Sequence, residues 1–249
     1  MAAGELVTLK IKRQDARDAP PRWETFAVPG QEHLNVHAAL MAIQRNPVTR
    51  DGKKTAPVVW DSACLEEVCG SCTMIINGRV RQACAALVDD LEQPIELRPM
   101  EKFPLIRDLA VDRSRIFRDF GRVHAWIHLD GTHDLGPGPR MAPALADARY
   151  ELSRCMACGC CLEACPNYGP RSDYVGAAVV NQVRLFNLHP SGAMHAGERL
   201  DALLEPGGIA GCGNSQNCVE VCPKDIPLTT SLADTMGATT RRTLHKLLR

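Results

Sequence analysis

The sequence predicts an α+β protein, with a small sheet-bearing domain over residues 1–104 and an all-helical domain over 105–249. Three observations carry this reading. Near the N-terminus, apolar residues alternate with the period of a half-buried strand. From Leu105 onward the pattern turns helical. The twelve cysteines fall almost entirely into three tight runs, one in the first part and two in the second.

In the first domain, Val7, Leu9 and Ile11 alternate with Thr8, Lys10 and Lys12 and read as a strand. Asp18-Ala-Pro-Pro21 turns the chain, and Trp23 to Val28 returns as a second strand. Asn35 is placed to cap a helix whose Val36, Ala39, Leu40 and Ile43 fall on one face. Asn46-Pro47 ends it, because the residue before a proline is disfavoured in helical geometry. Thr73 to Ile76 and Arg79 to Gln82 form a hairpin, with Asn77-Gly78 as a type I′ turn. Ile95 and Leu97 suit a closing strand, and Pro99 and Pro104 mark the boundary.

In the second domain, Asp108 to Phe120 is charged and amphipathic and reads as a surface helix. Gly131 to Pro143 is a loop or a partner-contacting segment. Ala144 to Arg154 leads helically into Cys155. Ser172 to Val175 opens a helix with Val175, Val179 and Val183 on one side. His195 to Leu204 is another, stopped by Pro206-Gly207-Gly208. Thr229 to the C-terminus is a last helix, and Arg241, Arg242, Lys246 and Arg249 suit the negative end of its dipole.

The cysteines set the chemistry. Cys64, Cys69 and Cys72 follow C-x4-C-x2-C, and a distant fourth cysteine, Cys84, completes the plant-type [2Fe–2S] spacing. The Thr73–Gln82 hairpin accounts for how Cys84 returns to the loop. Zinc is the competing reading, but zinc sites favour paired C-x2-C knuckles. This first part resembles the β-grasp ferredoxin domain. Further on, Cys155, Cys158, Cys161 and Cys165-Pro166 follow C-x2-C-x2-C-x3-C-P, the run that holds cubane clusters. Its last cysteine is expected to start a helix pointing away, towards a second cluster. Cys212, Ser215, Cys218 and Cys222-Pro223 repeat the run with serine in the middle slot.

Exchanging the outer cysteines gives one site of Cys155, Cys158, Cys161 and Cys222, and another of Cys165, Cys212 and Cys218. A serine hydroxyl is a poor iron ligand beside soft thiolates. The first site therefore reads as [4Fe–4S] and the second as [3Fe–4S]. A structural zinc site or disulfides would need a different pattern than two matched runs each closed by Cys-Pro. Cys160 is left over and reads as a small buried residue. His124, His128 and His133 are irregularly spaced and read as surface or partner contacts.

Composition narrows the rest. An apolar content of 45% with only 4% aromatics in 249 residues implies two modest, aliphatic cores. Zero formal net charge leaves no nucleic-acid footprint. No run of 18 apolar residues is long enough to span a membrane. The N-terminus lacks the basic and apolar regions of a signal peptide, so a cytoplasmic location is expected. Twelve cysteines are roughly 5% of the chain, below a disulfide scaffold. Dinucleotide and phosphate-loop motifs are missing, as is a paired acid and base, so no catalytic residue is assigned. The expected chemistry is electron transfer between clusters.

A [2Fe–2S] domain followed by a helical domain with [4Fe–4S] and [3Fe–4S] clusters, its eleven ligand cysteines in this order, resembles the iron–sulfur subunits of succinate dehydrogenase and fumarate reductase. The resemblance implies a succinate:quinone oxidoreductase, in which this subunit takes electrons from an FAD-containing flavoprotein subunit. They pass through the three clusters to a quinone beside the [3Fe–4S] cluster, at a membrane-anchor cytochrome b subunit. Gln182 to Pro190 and Cys212 to Pro227 look most like the menaquinone-using branch, whose anchor carries two haems b. Ubiquinone-using members have a tryptophan where this chain has Pro170 and a histidine where it has Gly213, so their quinone contacts do not carry over. The segments Pro166 to Pro170 and Gly213 to Asn217 are expected to face the anchor and quinone. The implied location is the cytoplasmic face of the cell membrane, and the alternative is a fumarate reductase running in the opposite direction.

Two other classes compete. A free-standing two-domain ferredoxin that shuttles between soluble enzymes would tend to be small and acidic, whereas this chain is neutral and has long linking helices that need partners to cover them. Iron–sulfur subunits of the heterodisulfide reductase or glycolate oxidase type usually lack the plant-type loop ahead of the cubane runs.

Overall fold

A computed structural model describes residues 5–128 and 138–248. His133, Arg249 and the first part of the Gly131–Pro143 segment lie outside the described residues. The chain forms two compact units. One comprises Met1–Arg113 with Met156–Glu163; the other comprises Ser114–Cys155 with Ala164–Arg249.

The first unit is built on a mixed sheet. Strand β1 (Leu6–Arg13) pairs antiparallel with β2 (Arg22–Pro29). Helix α1 (Val36–Arg45) follows, then β3 (Thr73–Ile76), β4 (Arg79–Gln82) and β5 (Ile95–Arg98). The order across the sheet is β2-β1-β5-β3-β4, with β5 parallel to β1 and antiparallel to β3. The expected alternation holds, since Val7, Leu9 and Ile11 are fully buried. The Asn35 side chain accepts a hydrogen bond from the Ala38 N–H at 2.8 Å, capping α1 as its residue type favours. Val36, Ala39, Leu40 and Ile43 then press into the same core as the sheet. Asn77 and Gly78 both have positive φ, 47° and 79°, as a type I′ turn requires.

Residues 105–111 correct the sequence reading. They form a short hairpin, β6 (Leu105–Arg107) and β7 (Ala110–Val111), and helix α2 starts only at Ser114 and runs to Arg122. The cause is Asp108, which sits at the hairpin turn with φ 49°. Its buried carboxylate accepts from Arg13 Nε and Nη2 at 3.0 and 3.2 Å, and from the Gln14 and Val59 N–H groups at 3.1 and 3.0 Å. A long-range buried ion pair thus overrides a locally helical pattern. Arg13, itself fully buried, also pairs with Glu24 and donates to the Ala56 and Pro57 carbonyls.

The second unit is helical. After α2 come α3 (Pro143–Ser153) and, beyond the short α4 (Cys160–Ala164), helix α5 (Ala177–Asn187). Helix α5 starts at Ala177 rather than Ser172, because the Arg115 guanidinium holds the Gly169, Ser172 and Tyr174 carbonyls in an irregular turn. Then follow α6 (Pro190–Ala193), α7 (Ala196–Leu204), α8 (Asn217–Glu220) and the long α9 (Leu228–Leu247). Val179, Val180 and Val183 make α5 the buried centre of the unit. Fully buried Asn181 is satisfied on both sides, donating to Leu152 O at 3.1 Å and accepting from Ser231 Oγ at 3.0 Å. Near the end of α9, Arg242 and Lys246 pair with Asp201 of α7, each at 2.8 Å. The hydrogen bond from Arg242 comes first among the contacts that hold the Asp201 carboxyl down at about 2. Two of the late basic residues thus serve a tertiary contact as well as the helix dipole. No helix among the described residues is long and apolar enough to cross a membrane.

Asp108→Ala should leave the Arg13 guanidinium buried with a single carboxylate neighbour, a loss of about 3–5 kcal/mol by the usual cost of breaking a buried ion pair. Denaturant unfolding of the cluster-loaded protein measures this. A midpoint equal to that of the unmutated chain would contradict it.

Candidate metal centre

None of the twelve cysteines forms a disulfide. The loop from Cys64 to Cys72 turns on three left-handed residues, Leu65, Glu67 and Gly70, with φ of 63°, 54° and 69°. These turns point amides inward. The Glu66 and Val68 N–H groups lie 3.4 Å from Cys64 Sγ, and the Ser71 N–H lies 3.4 Å from Cys69 Sγ. Burial pushes the Cys69 thiol up, but hydrogen bonds from Ser71 and Cys64 outweigh it and bring it down to about 6. Burial, with Cys84 beside it, pushes the Cys72 thiol up to about 12. Cys84 arrives as the hairpin predicts: the Ala83 N–H bonds the Cys72 carbonyl at 3.1 Å, and the Asn35 amide donates to Cys84 O at 3.0 Å.

The segment Met156–Glu163 belongs to this same unit and packs directly on the loop. A Cβ built on Gly70 would stand 2.6 Å from both Cα and Cβ of Cys158. Only glycine tolerates that approach together with a left-handed φ. Arg113 donates to Gly70 O, and its Nη1 lies 3.4 Å from Cys158 O. Glu163 accepts from the Glu101 and Lys102 N–H groups at 3.0 and 3.1 Å, fastening the segment's far end. Ala157 and Gly159 are left-handed, with φ of 51° and 89°, which curls Cys158 and Cys161 inward. A hydrogen bond from Cys160 leads the effects that bring the Cys158 thiol down to about 7, against its burial. Cys160 is fully buried, as expected for a residue outside the ligand frame, and its sulfur accepts from Gln82 Nε2 at 3.2 Å.

Cys165 departs from expectation. It follows helix α4 instead of opening a helix, because Pro166 after it disfavours helical backbone at that position. Cys222 likewise follows α8 and precedes Pro223.

In the second unit, Cys165, Cys212 and Cys218 gather around Tyr174. The Tyr174 phenol is buried and is pushed far up, first by that burial and then by the three thiols, with a hydrogen bond to Cys212. The same crowding raises the Cys218 thiol, burial first, then Cys165 and Cys212. Ser215 is exposed, between the left-handed residues Asn214 and Gln216. Two amides stitch the runs together: Asn167 donates to Gly211 O at 2.8 Å, and Asn217 donates to Ala164 O at 3.1 Å. A Cβ on Gly213 would meet the Asn167 side chain at 2.8 Å, so Pro166–Pro170 and Gly213–Asn217 are in contact.

The structure therefore brings Cys64 to Cys69, Cys72 to Cys84, and Cys165 to Cys212 and Cys218. Cys158 and Cys161 lie in the first unit, and Cys155 and Cys222 in the second. Inward amides, unbridged cysteines and left-handed loops form a donor set that fits iron–sulfur clusters, whose sulfur atoms accept N–H hydrogen bonds. Sequence reasoning missed Gln82, Arg113 and Tyr174. None carries a local signal, since each lies far along the chain from the cysteine it touches.

Two tests follow from this geometry. Gly70→Ala should displace Cys158 and reduce bound iron, read as iron and acid-labile sulfide per chain; full occupancy would contradict the close approach. Tyr174→Phe removes the hydrogen bond to Cys212 and should lower the reduction potential of a cluster held by these thiols, since such bonds tune it. Potentiometric titration followed by paramagnetic resonance reads the shift, and an unmoved potential would mean that the phenol only fills space.

Comparison with known proteins agrees with this geometry. Residues 8–118 match the family model described as a 2Fe-2S iron-sulfur cluster binding domain, and residues 151–226 match a 4Fe-4S dicluster domain. The chain is 58% identical to the succinate dehydrogenase iron-sulfur subunit of Bacillus subtilis, over 94% of this chain and 92% of that one. It is 33% identical to the fumarate reductase iron-sulfur subunit of Wolinella succinogenes, over 92% and 95%. Among solved structures, a chain of the Mycobacterium smegmatis Sdh1 complex in the apo form superposes with a TM-score of 0.82. It covers 96% of this chain and 98% of that one at 21% identity, a likeness of fold.

Proposed function

Because the chain belongs to the family of iron–sulfur subunits of succinate dehydrogenase and fumarate reductase, we propose that its three cysteine sets are successive stations of one electron path. The protein is the electron-transfer subunit of a succinate dehydrogenase and works beside flavoprotein and membrane subunits. It carries [2Fe–2S], [4Fe–4S] and [3Fe–4S] clusters, while FAD and haem belong to its partners. When bound, the clusters supply one-electron redox centres. The chain's own part is to space them, surround them with amides and keep water away.

The ligand sets in this reading are Cys64, Cys69, Cys72 and Cys84 for [2Fe–2S], and Cys155, Cys158, Cys161 and Cys222 for [4Fe–4S]. Cys165, Cys212 and Cys218 hold [3Fe–4S]. The single observation that carries the last set is the gathering of these three thiols around Tyr174 while Ser215 stays exposed. In this reading the cluster-bearing domains divide at 104/105, ahead of the break between compact units at 113/114, with the first set in the N-terminal domain. The electron acceptor is menaquinone near the three-iron cluster, in an anchor with two haems b, and the complex sits on the cytoplasmic face of the membrane. Pro170 and Gly213, standing where ubiquinone-using members have tryptophan and histidine, support the menaquinone reading. Turnover towards fumarate is the second reading, favoured by the 33%-identical relative from Wolinella succinogenes.

Ser215→Cys tests the last station. A restored thiolate should admit a fourth iron, because soft sulfur is the preferred ligand. The paramagnetic signal of the oxidised three-iron cluster should disappear, and iron should rise by one atom per chain. Quinone reduction should slow while reduction of an artificial acceptor at the flavin persists. An unmutated protein that already holds two four-iron clusters would overturn the assignment.

A further inference from the structure

Outside the cysteine runs, the second unit holds another convergent set of metal-binding side chains. His128, His195 and Glu198 place one ligand atom each within 4.8 Å of one another. His195 precedes α7 and Glu198 lies in its first turn, so they share one side of the helix at i, i+3 spacing. His128 comes from a segment far away in sequence. Its Nε2 stands 3.5 Å from Glu198 Oε2, and His195 Nδ1 stands 3.5 Å from Glu198 Oε1. The two imidazole rings are 4.3 Å apart, centre to centre.

These separations set the three groups close together without short hydrogen bonds between them. N–H···O hydrogen bonds usually close to about 2.9–3.0 Å, so both contacts are long for that purpose. Ligands on a tetrahedral zinc ion, with arms of about 2.0–2.2 Å, stand about 3.3–3.6 Å apart along the tetrahedron's edges. The two 3.5 Å contacts run to different oxygens of the one Glu198 carboxylate, and all three ligand atoms lie within 4.8 Å, a spread that small side-chain rotations close around an ion.

The surroundings hold the set in place. Arg199, next to Glu198, is 1% exposed and donates to Trp126 O at 3.0 Å, to Asn187 Oδ1 at 2.6 Å and to Gly192 O. One buried guanidinium thus ties the segment carrying His128 and the turn leading to His195 to the helix carrying Glu198. The Trp126 ring stands edge-on to His128, with centroids 6.3 Å apart, which limits where that imidazole can swing. All three ligands keep part of their surface open to solvent, so an ion can reach them.

We propose that His128, His195 and Glu198 form a binding site for a divalent cation of the zinc class, separate from the iron–sulfur frame. Two imidazoles and one carboxylate with room for a water are a three-ligand zinc set. A bound ion would lock the His128 segment to α7, acting as a cross-link in a unit whose core is aliphatic.

The test uses the full chain in its native complex, with clusters loaded so that the cysteines are occupied. After washing with a chelator, zinc chloride alone is titrated against a competing indicator. One equivalent per complex should bind in the unmutated protein. His128→Asn, His195→Asn and Glu198→Gln should each weaken that equivalent by at least about tenfold, by analogy with the losses seen when a zinc ligand's support is removed. Iron content and succinate oxidation should stay unchanged in all three. X-ray absorption at the zinc edge should show two imidazoles around the ion in the unmutated protein. Equal zinc binding by the variants, a zinc shell of sulfur, or no equivalent bound at micromolar zinc would overturn the proposal.

Discussion

The contact between Gly70 and Cys158 is the constraint on which the first unit depends. Two cysteine loops from distant parts of the sequence meet there with no side chain between them. The approach is backbone to backbone, which leaves the two cysteine runs as close as chain packing allows. Arg113 completes it by facing a carbonyl on each side. The guanidinium suits this role because its donors are fixed in a plane and its charge persists. Gln82 and Glu163 extend the same fastening along the segment, one through the Cys160 sulfur and one through two backbone amides.

The second physical theme is the handling of crowded thiols. Bringing cysteines together in partly buried loops raises the cost of charging each, as the upward shifts of Cys72 and Cys218 show. The chain offsets this where it can with inward amides, which need left-handed backbone at Leu65, Glu67, Ala157, Asn214 and Gln216. Non-glycine residues adopt that backbone only under constraint, and half of those that do so among the described residues lie in the cysteine runs. Cys160 shows the opposite use of the same residue type. Fully buried and held by Gln82, it fills a seam in the core and lends a hydrogen bond to its neighbour Cys158.

Two of the departures from the sequence pattern share one cause. The stretch from Leu105 looked helical because its charges and apolar residues recur at helical intervals, yet Asp108 is claimed by Arg13, 95 positions away. The start of α5 slipped from Ser172 to Ala177 because Arg115 captures three carbonyls ahead of it. At Cys165 the expected helix start gives way to a helix end, because Pro166 beside it disfavours helical backbone. In the first two cases a distant guanidinium satisfies groups that a local pattern assigns to helix; in the third, the adjacent proline decides locally.

What the sequence by itself determined is what depends on neighbours along the chain. Strand alternation, the Asn35 cap, the Asn77-Gly78 turn and the spacing of the cysteine runs are local properties, and each is found where it was expected. The α+β class, the family and the cluster types followed from these, because iron–sulfur loops are short and their geometry is carried by spacing. Only the tertiary structure decided which groups surround the thiols. Tyr174, Arg113, Gln82 and the His128–His195–Glu198 set are assembled from residues whose separation in sequence carries no record of their contact. Burial and long-range hydrogen bonding bring them together, and those energies exist only once the chain has folded.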